Sequence, residues 1–287
     1  MEISRGEFYA LMGCNGSGKT TLASIITCTK APTKGCVSVH GHDVVREANQ
    51  VKRLIGYVPQ ENFSSPGLTG VENLVFFARL LRFNRKEAET LARELLERMG
   101  LTEAAHRRVS EYSGGMRKRL EVATALFHGI EVLVLDEPTT GLDPSARKGF
   151  MSTLKEVNED GVTVFLVTHI GEDAGAASRV GFIDGGVIVM EGRPDELKDM
   201  SGLRNVVEVD TPYKGEKVAS VLAAYSEKGQ IMETGEGYRL FCIEPDEATP
   251  KMLRALDGIG CQANRVEVRA PSLEDVFFKA TSKPLGG

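Results

Sequence analysis

Residues 8–21 read FYALMGCNGSGKTT and are the most informative segment of this chain for its fold. It begins with five apolar residues typical of a buried strand, continues through a glycine-rich turn, and opens a helical pattern. The turn fits the phosphate-loop pattern GxxxxGK[ST], in which main-chain N–H groups surround phosphate oxygens. A chance glycine-rich turn is the alternative, but the flanking strand and helix argue against it. The residues expected to contact a nucleotide here are Gly13, Cys14, Asn15, Gly16, Ser17, Gly18, Lys19, Thr20 and Thr21.

The end of this loop predicts the kind of ligand. Lys19 would pair with the β- and γ-phosphates, and Thr20 would ligate Mg²⁺. The N-terminus of the helix that follows adds a partial positive charge. These groups suit a nucleoside triphosphate, so ATP and Mg²⁺ are the expected cofactors.

A second apolar run, VLVLDE at residues 132–137, ends in two adjacent carboxylates. A strand that simply meets a solvated turn would look the same when taken alone. After a phosphate loop, however, the carboxyl end of a parallel strand is where a nucleotide lies. We therefore expect Asp136 to hold Mg²⁺ through water and Glu137 to act as the general base on the attacking water.

Composition and charge narrow the class of protein. The formal net charge is −5, without the basic surplus that favours binding to nucleic acid, so nucleic acid is not the expected partner. No apolar stretch approaches the roughly 18 to 20 residues that cross a bilayer, and Met1 to Gly6 is too polar for a signal peptide. The five cysteines show no metal-ligand spacing and no disulfide framework. A cytosolic chain is expected.

The order of patterns along the chain predicts an α/β fold in two domains. Apolar strand-like runs alternate with helical ones, which indicates a largely parallel sheet. We expect a nucleotide-binding domain over residues 1–200, with a helical insert at about 65–128, because apolar residues there recur every three or four positions. The turn at Gly192 to Pro194 and the polar residues after it suggest the boundary. Residues 204–287 read as a small α+β domain in the ferredoxin-like order βαββαβ.

Four further motifs resemble those of ABC ATPases. The sequence YSGGM, residues 112–116, resembles the signature motif, and the helical run Arg117 to His128 follows it. Gln60 in YVPQE resembles the Q-loop glutamine, Asp143 in GLDP lies in a D-loop-like segment, and His169 resembles the switch histidine. A lone glutamine in a turn or histidine at a strand end is usually unremarkable, but the order of all four matches from Gly6 to about Gly192. The resemblance implies a P-loop ABC ATPase in which Gln60, Glu137 and His169 are catalytic and Gln60 also ligates the metal.

The resemblance also implies a second copy of the domain. In the family, two domains associate head to tail, with ATP between the phosphate loop of one and the signature motif of the other. Ser113, Gly114 and Gly115 would then contact the γ-phosphate in trans, and Asp143 would cross the same interface. Closure on ATP and release after hydrolysis would drive a membrane partner.

Two phrases, LTGVENL at 68–74 and PSLEDVF at 271–277, resemble ATPase subunits of ABC-2-type exporters, with daunorubicin-resistance ATPases as the nearest group. This resemblance implies a separate permease, a peripheral location on the cytoplasmic side of the membrane, and a drug, lipid or polysaccharide as cargo. The apolar stripe over 68–81 is then either the packing face of a helix or a groove wall for the permease. A soluble or degenerate ABC ATPase without a permease is the alternative function.

The chain departs from the family pattern at two points. Only twelve residues precede Gly13, and the usual first strands, with an aromatic that stacks on adenine, are absent from them. Either residues are missing upstream or the base is held weakly, since Phe8 and Tyr9 belong to the strand that feeds the loop. Cys14 stands where the family usually has proline; it is either a reactive thiol beside backbone amides or a small residue that merely fits.

Overall fold

The structure, a computed structural model, describes residues 1–127 and 129–283 of the 287. It separates into two compact units, Met1–Val189 and Met190–Gly287. His128, at the end of the predicted helical run, and residues 284–287, at the end of the predicted second domain, lie outside the described residues.

The first unit is built on a mostly parallel sheet flanked by helices. Its strands are β1 (Phe8–Met12), β2 (Ser38–Val39), β3 (His42–Asp43), β4 (Ile55–Val58), β5 (Val132–Asp136), β6 (Thr163–Thr168), β7 (Arg179–Asp184) and β8 (Val187–Gly192). Its helices are α1 (Lys19–Ile26), α2 (Ala48–Leu54), α3 (Gly70–Leu80), α4 (Arg85–Arg98), α5 (Gly114–Ala125), α6 (Pro144–Glu159) and α7 (Gly171–Ala174). Within the described residues the main sheet has the order β4-β5-β6-β1-β7-β8, and β2 pairs with β3 in a small hairpin.

The register of the sheet brings three strand ends to one edge. Strands β4, β5, β6, β1 and β7 pair in parallel, with Met12 opposite Thr168 and Asp136 opposite Val167. Every residue of β1, β5 and β6 is buried, as expected for strands covered on both faces. The phosphate loop, Glu137 and His169 each follow one of these strands, so they emerge side by side.

Helices α3, α4 and α5 occupy the segment where a helical insert is predicted. Reciprocal capping boxes start two of them, Thr69 with Glu72 at α3 and Asn84 with Glu87 at α4. The Ser113 hydroxyl accepts a hydrogen bond from the N–H of Met116 and so caps α5. The capping side chains of Thr69, Asn84 and Ser113 therefore determine where these three helices begin.

The second unit packs helices on an antiparallel sheet. Its elements are α8 (Pro194–Ser201), β9 (Asn205–Asp210), α9 (Glu216–Ala223), β10 (Ile231–Glu233), β11 (Gly237–Cys242), α10 (Pro245–Gly258), β12 (Arg265–Arg269) and α11 (Leu273–Thr281). The sheet order in the described chain is β10-β11-β9-β12, and each neighbouring pair is antiparallel. A core of valine, leucine, tyrosine and methionine side chains lies between this sheet and the helices α9 and α10.

A helix occupies the polar stretch after the expected domain boundary. The two compact units divide between Val189 and Met190, inside β8, and the boundary at the turn Gly192 to Pro194 stays a prediction. The polar stretch that follows this turn forms α8, with Pro194 in its first turn and Gly202 in the left-handed conformation at its end. Proline at the start and glycine after the end favour a short helix even where the composition is polar.

Candidate active site

The phosphate loop connects the buried strand β1 to helix α1. Gly18 caps α1 with φ of 106°, a conformation that side chains with a Cβ rarely adopt. Lys19 is only 5% exposed, and its ammonium donates to the carbonyl oxygens of Gly13 at 2.7 Å and Cys14 at 3.1 Å. The buried Ser17 hydroxyl has no hydrogen-bond partner among the described residues. A buried cation, an unpartnered hydroxyl and a helix N-terminus fit a phosphate group.

Thr20 and Asp136 form the part of the site that suits a metal ion. The Thr20 hydroxyl lies 3.3 Å from Oδ1 of Asp136, which is almost fully buried at the end of β5. Burial raises the pKa of Asp136, and the negative charge of Glu137 raises it further against the hydrogen bond from Thr20. A hydroxyl and a buried carboxylate fit Mg²⁺, which prefers oxygen ligands and commonly retains water and phosphate oxygens. Within residues 1–127 and 129–283, no group of three or more His, Cys, Asp or Glu side chains could hold a metal by itself.

Glu137 lies at the centre of the site. Its carboxylate oxygens lie 3.7 Å from Lys19 Nζ, 3.5 Å from Gln60 Nε2 and 3.2 Å from His169 Nδ1. The contact with His169 lowers the pKa of Glu137 below its usual range, and the charge of Lys19 contributes in the same direction against burial. The carboxylate is therefore ionised at neutral pH, as a general base must be.

The backbone of Glu137 is also unusual. Its φ is 47°, in the left-handed region that a residue with a Cβ rarely occupies. Its N–H donates to the carbonyl of Val167 on β6, which anchors the turn after β5. Backbone conformations of this kind cost free energy and cluster at functional sites, where the surrounding structure enforces them.

The phosphate loop, Gln60 and Glu137 border one cavity of about 400 Å³. Its lining residues are Asn15, Gly16, Gly18, Lys19, Thr20, Thr21, Gln60 and Glu137. A larger cavity of about 720 Å³ opens against Leu22, Phe165 and Ile188 and shares none of these residues. The chemistry-bearing groups belong to the smaller cavity, which is the candidate nucleotide site.

The signature-like and D-loop-like residues lie together but do not line that cavity. Ser113 and Gly114 are exposed at the start of α5, and Asp143 is exposed at the start of α6, where it accepts from the N–H groups of Ser145 and Ala146. A Cβ on Gly114 would come within 2.8 Å of Leu142, so glycine allows the two segments to pack closely. Gly115 packs against Ala146 in the same contact. The exposed N-terminus of α5 is thus available to a ligand that this chain's own phosphate loop does not hold.

Phe8, Tyr9 and Cys14 lie where the sequence departs from the family pattern. Phe8 and Tyr9 are buried within β1, at 3% and 0% exposure, so neither offers a ring face to a base. The half-buried Cys14 thiol lies 4.0 Å from a carboxylate oxygen of Asp184. Whether this thiol reacts stays a hypothesis.

The sequence did not single out the residues that support Gln60. Glu121, Lys118 and Arg117 on α5 hold Gln60 and the segment that follows it through partly buried hydrogen bonds. No local signal identifies them, because the apolar periodicity of α5 is weak and a lysine, Lys118, is buried on this helix as well as Glu121.

Comparison with known proteins places these observations in a family. The family model described as "ABC transporter" matches residues 1–140. The daunorubicin resistance ATP-binding protein of Streptomyces coeruleorubidus is 37% identical over 98% of this chain and 89% of its own length. The Nod factor export ATP-binding protein of Rhizobium etli is 36% identical over 99% of this chain and 87% of its own. A doxorubicin resistance ATP-binding protein of Mycobacterium tuberculosis is 35% identical, with 99% and 87% covered.

Solved structures agree with this assignment. A dimeric ATP-binding cassette, in a post-hydrolysis state with ADP and phosphate, is similar with a TM-score of 0.60 and 32% identity. The match covers 67% of this chain and 88% of that one. The structure of cbiO1 from Clostridium perfringens, part of the ABC transporter complex cbiONQ, has a TM-score of 0.63 at 28% identity; the match covers 69% of this chain and 81% of that one.

The fold and the site together define a P-loop ATPase of the ABC type, as the sequence predicted. The chain belongs to the family of ABC transporter ATP-binding proteins. Among the helices in the described parts of the chain, none has the length and apolar character needed to cross a membrane.

Proposed function

We propose that the chain hydrolyses MgATP at the cavity between the phosphate loop and Glu137. The observation that carries this proposal is the position of Glu137, whose carboxylate lies within 3.7 Å of Lys19, Gln60 and His169. A carboxylate kept ionised beside a lysine, a glutamine and a histidine can accept a proton from water while its neighbours fix its orientation.

Each neighbouring residue has a distinct role in this proposal. Lys19 and the glycine-rich loop bind the phosphates. Thr20 and Asp136, which lie within hydrogen-bond distance of each other, would hold the metal together with Gln60. Bound Mg²⁺ would neutralise part of the negative charge of the phosphates. Gln60 and His169 orient the Glu137 carboxylate. The remaining loop residues, Gly13 to Gly18 and Thr21, shape the wall against which the phosphates lie.

The proposed working unit contains two copies of the chain. Ser113, Gly114 and Gly115 form the N-terminus of α5, which provides the partial positive charge that a γ-phosphate requires. These residues do not line the cavity bordered by Lys19, which supports the proposal that they contact ATP held by the second copy. Asp143, exposed beside them, lies in the same proposed interface. The dimeric state of a similar solved cassette supports this arrangement.

The free energy that ATP hydrolysis releases is proposed to drive a separate permease of the ABC-2 exporter type. The names of the relatives, which refer to daunorubicin resistance and Nod factor export, support an exporter whose cargo is a drug, a lipid or a polysaccharide. The ATPase domain would comprise residues 1–200 and the accessory domain residues 204–287. The chain would then work at the cytoplasmic side of the membrane, bound to its permease.

The test compares MgATP hydrolysis by the wild-type chain and Glu137→Gln. We expect kcat to fall by about 100-fold or more in the variant, because the general base is lost while the side-chain shape is kept. Glu156→Gln, an exposed glutamate on α6, is the matched control and should retain wild-type turnover. Equal turnover by wild type and Glu137→Gln would refute the role of Glu137, and no turnover by the wild type would favour a degenerate ATPase.

A further inference from the structure

A buried charged network holds the segment that carries Gln60. This linker, residues 59–69, leaves the end of β4 and enters helix α3. Gln60 itself is exposed toward the nucleotide cavity, but the residues that follow it are held from behind by helix α5.

Glu121 of α5 provides the acceptor at the centre of the network. Its side chain is 0% exposed, and Oε1 accepts from the N–H of Phe63 at 3.2 Å and from Ser64, through the hydroxyl at 3.0 Å and the N–H at 3.5 Å. One carboxylate thus satisfies two backbone donors and a hydroxyl of the linker. A buried carboxylate is costly unless it is paired and hydrogen-bonded in this way.

Two cations of the same helical turn complete the network. Lys118 Nζ lies 3.1 Å from Glu121 and donates to the carbonyl oxygen of Gln60 at 3.2 Å. Arg117 donates to the hydroxyl of Ser64 at 2.9 Å and to its carbonyl oxygen at 2.8 Å. Charge-assisted hydrogen bonds of this kind are stronger and more directional than neutral ones.

The far end of the linker is fixed by α3. The Asn73 side chain, 1% exposed, accepts from the N–H of Ser65 at 2.8 Å and donates to the carbonyl oxygens of Ser65 and Thr69, each at 3.0 Å. The linker is therefore held by buried side chains of two different helices. Its position relative to α5 cannot change without breaking several of these hydrogen bonds.

We propose that Glu121 and Lys118 are positioning residues that act through Gln60. They join the Gln60 backbone to the helix whose N-terminus is the signature-like sequence at Ser113, so that the two nucleotide-contacting segments keep a fixed relation. The network holds the Gln60 amide near the Glu137 carboxylate and makes its position depend on α5. This proposal rests on the proposed ATPase function, and it adds that turnover depends on a buried ion pair outside the nucleotide cavity.

The first experiment tests the geometry independently of activity. Hydrogen–deuterium exchange of the peptide that contains residues 60–65 is compared in wild type, Glu121→Gln and Val157→Ala. Loss of the charged acceptor should speed exchange in this peptide by at least about tenfold. Val157→Ala removes buried apolar volume near the end of α6 and should leave this peptide unchanged, which separates a local effect from general loss of stability. Unchanged exchange in Glu121→Gln would overturn the proposal.

The second experiment is a double-mutant cycle on turnover. Wild type, Glu121→Gln, Gln60→Ala and the double variant are assayed for kcat and KM with MgATP. In the wild-type background, we expect Glu121→Gln to lower kcat about tenfold while KM stays nearly constant. In the Gln60→Ala background, the same substitution should lower kcat less than about twofold. Equal losses in both backgrounds would show that Glu121 does not act through Gln60. Failure of the proposed ATPase function would instead appear as absent wild-type turnover, and the exchange experiment would then decide the proposal.

Discussion

Glu137 illustrates how much of this site depends on single side chains. Its neighbours Lys19, Gln60 and His169 come from three separate parts of the chain and meet at one carboxylate. The sequence predicts Lys19 and Glu137 to lie close, because both follow strands that end at the same edge of a parallel sheet. It does not predict the left-handed backbone of Glu137, since that conformation is imposed by contacts with β6 rather than by the residue itself.

The hydroxyl of Thr20 is predicted to be a ligand of Mg²⁺. Thr20→Val removes the hydroxyl and keeps the shape, so the Mg²⁺ concentration that gives half-maximal ATP hydrolysis should rise by at least about tenfold. Thr20→Ser retains the hydroxyl and should stay close to wild type. The measurement is ATPase rate against free Mg²⁺, and identical Mg²⁺ dependence in Thr20→Val and wild type would exclude Thr20 as a ligand.

Glu121 marks the limit of residue-level prediction. The sequence of α5 shows its cap at Ser113, but nothing local reveals that a glutamate on its inner face satisfies backbone donors of a distant linker. Contacts of this kind depend on which segments the fold brings together, 57 or 58 residues apart along the chain.

Among the helices and strands, α3 contains most of the predicted apolar stripe. Some apolar side chains of this helix are buried and others are exposed. Leu74 and Ala78 are fully buried, while Phe76 is 50% and Leu80 is 63% exposed. The stripe therefore supplies core contacts on one side and leaves apolar side chains at the surface on the other. Periodicity predicts the helix, but it does not show which exposed side chains a partner covers.

A substitution at Arg79, which is exposed on α3, can test whether the exposed surface of this helix couples to a permease. Arg79→Glu should reduce export of the cargo by cells that express the chain with its permease. MgATP binding should stay unchanged, because the charge lies outside the nucleotide cavity. The Arg79 guanidinium also donates to the carbonyl oxygen of Phe83, so Arg79→Gln is the control for loss of the contact without charge reversal. Wild-type export by Arg79→Glu would count against a role in coupling.

The C-terminal unit has a buried ion network that the sequence does not reveal. The carboxylate of Asp275, at the start of α11, accepts from Arg239 and Arg269 and is fully buried. Burial raises its pKa, but the hydrogen bonds from Arg269 and the backbone of Ser272 outweigh this, and the net pKa lies below the usual range. The sequence predicts the cap at Ser272, whereas the two arginines come from β11 and β12 and require the tertiary structure.

This network predicts a pH-dependent stability. A depressed folded-state pKa stabilises the fold above the unfolded value of about 3.9, and this contribution is lost as pH falls through the folded value. Asp275→Asn should lower stability at pH 7 by about 1.5 to 3 kcal/mol, because the two arginines lose one charged acceptor and keep Glu208. Calorimetric unfolding of the full chain should show wild type and variant converging as the pH falls below about 4. A difference that stays constant with pH would contradict the assignment.

Boundaries of elements in this unit were harder to predict than their order. Helix α9 ends at Ala223, and a short 3-10 turn, Glu227–Gly229, lies before β10. Lys228 has a φ of 54°, which cannot continue a right-handed helix. Such endings depend on the backbone path toward β10 rather than on helix propensity.

In the molecule as a whole, a single chain contains two separate surfaces that we propose contact nucleotide. Lys19 and Glu137 border one cavity, while Ser113 and Asp143 are exposed elsewhere on the same unit. The sequence implies the second copy only through its resemblance to a family, because no pattern in one chain reveals a symmetric partner. The exposed N-terminus of α5 gives that expectation a physical basis.

The most direct test of this account is the mass of Glu137→Gln in saturating MgATP, measured by size-exclusion chromatography with light scattering. The variant should bind ATP without hydrolysing it and elute at twice the 31.2 kDa mass of the chain, then return to monomer with ADP. Adding Ser113→Glu, which places a negative charge where the γ-phosphate should lie, should abolish the dimer. A variant that binds ATP and stays monomeric would contradict the composite two-copy site.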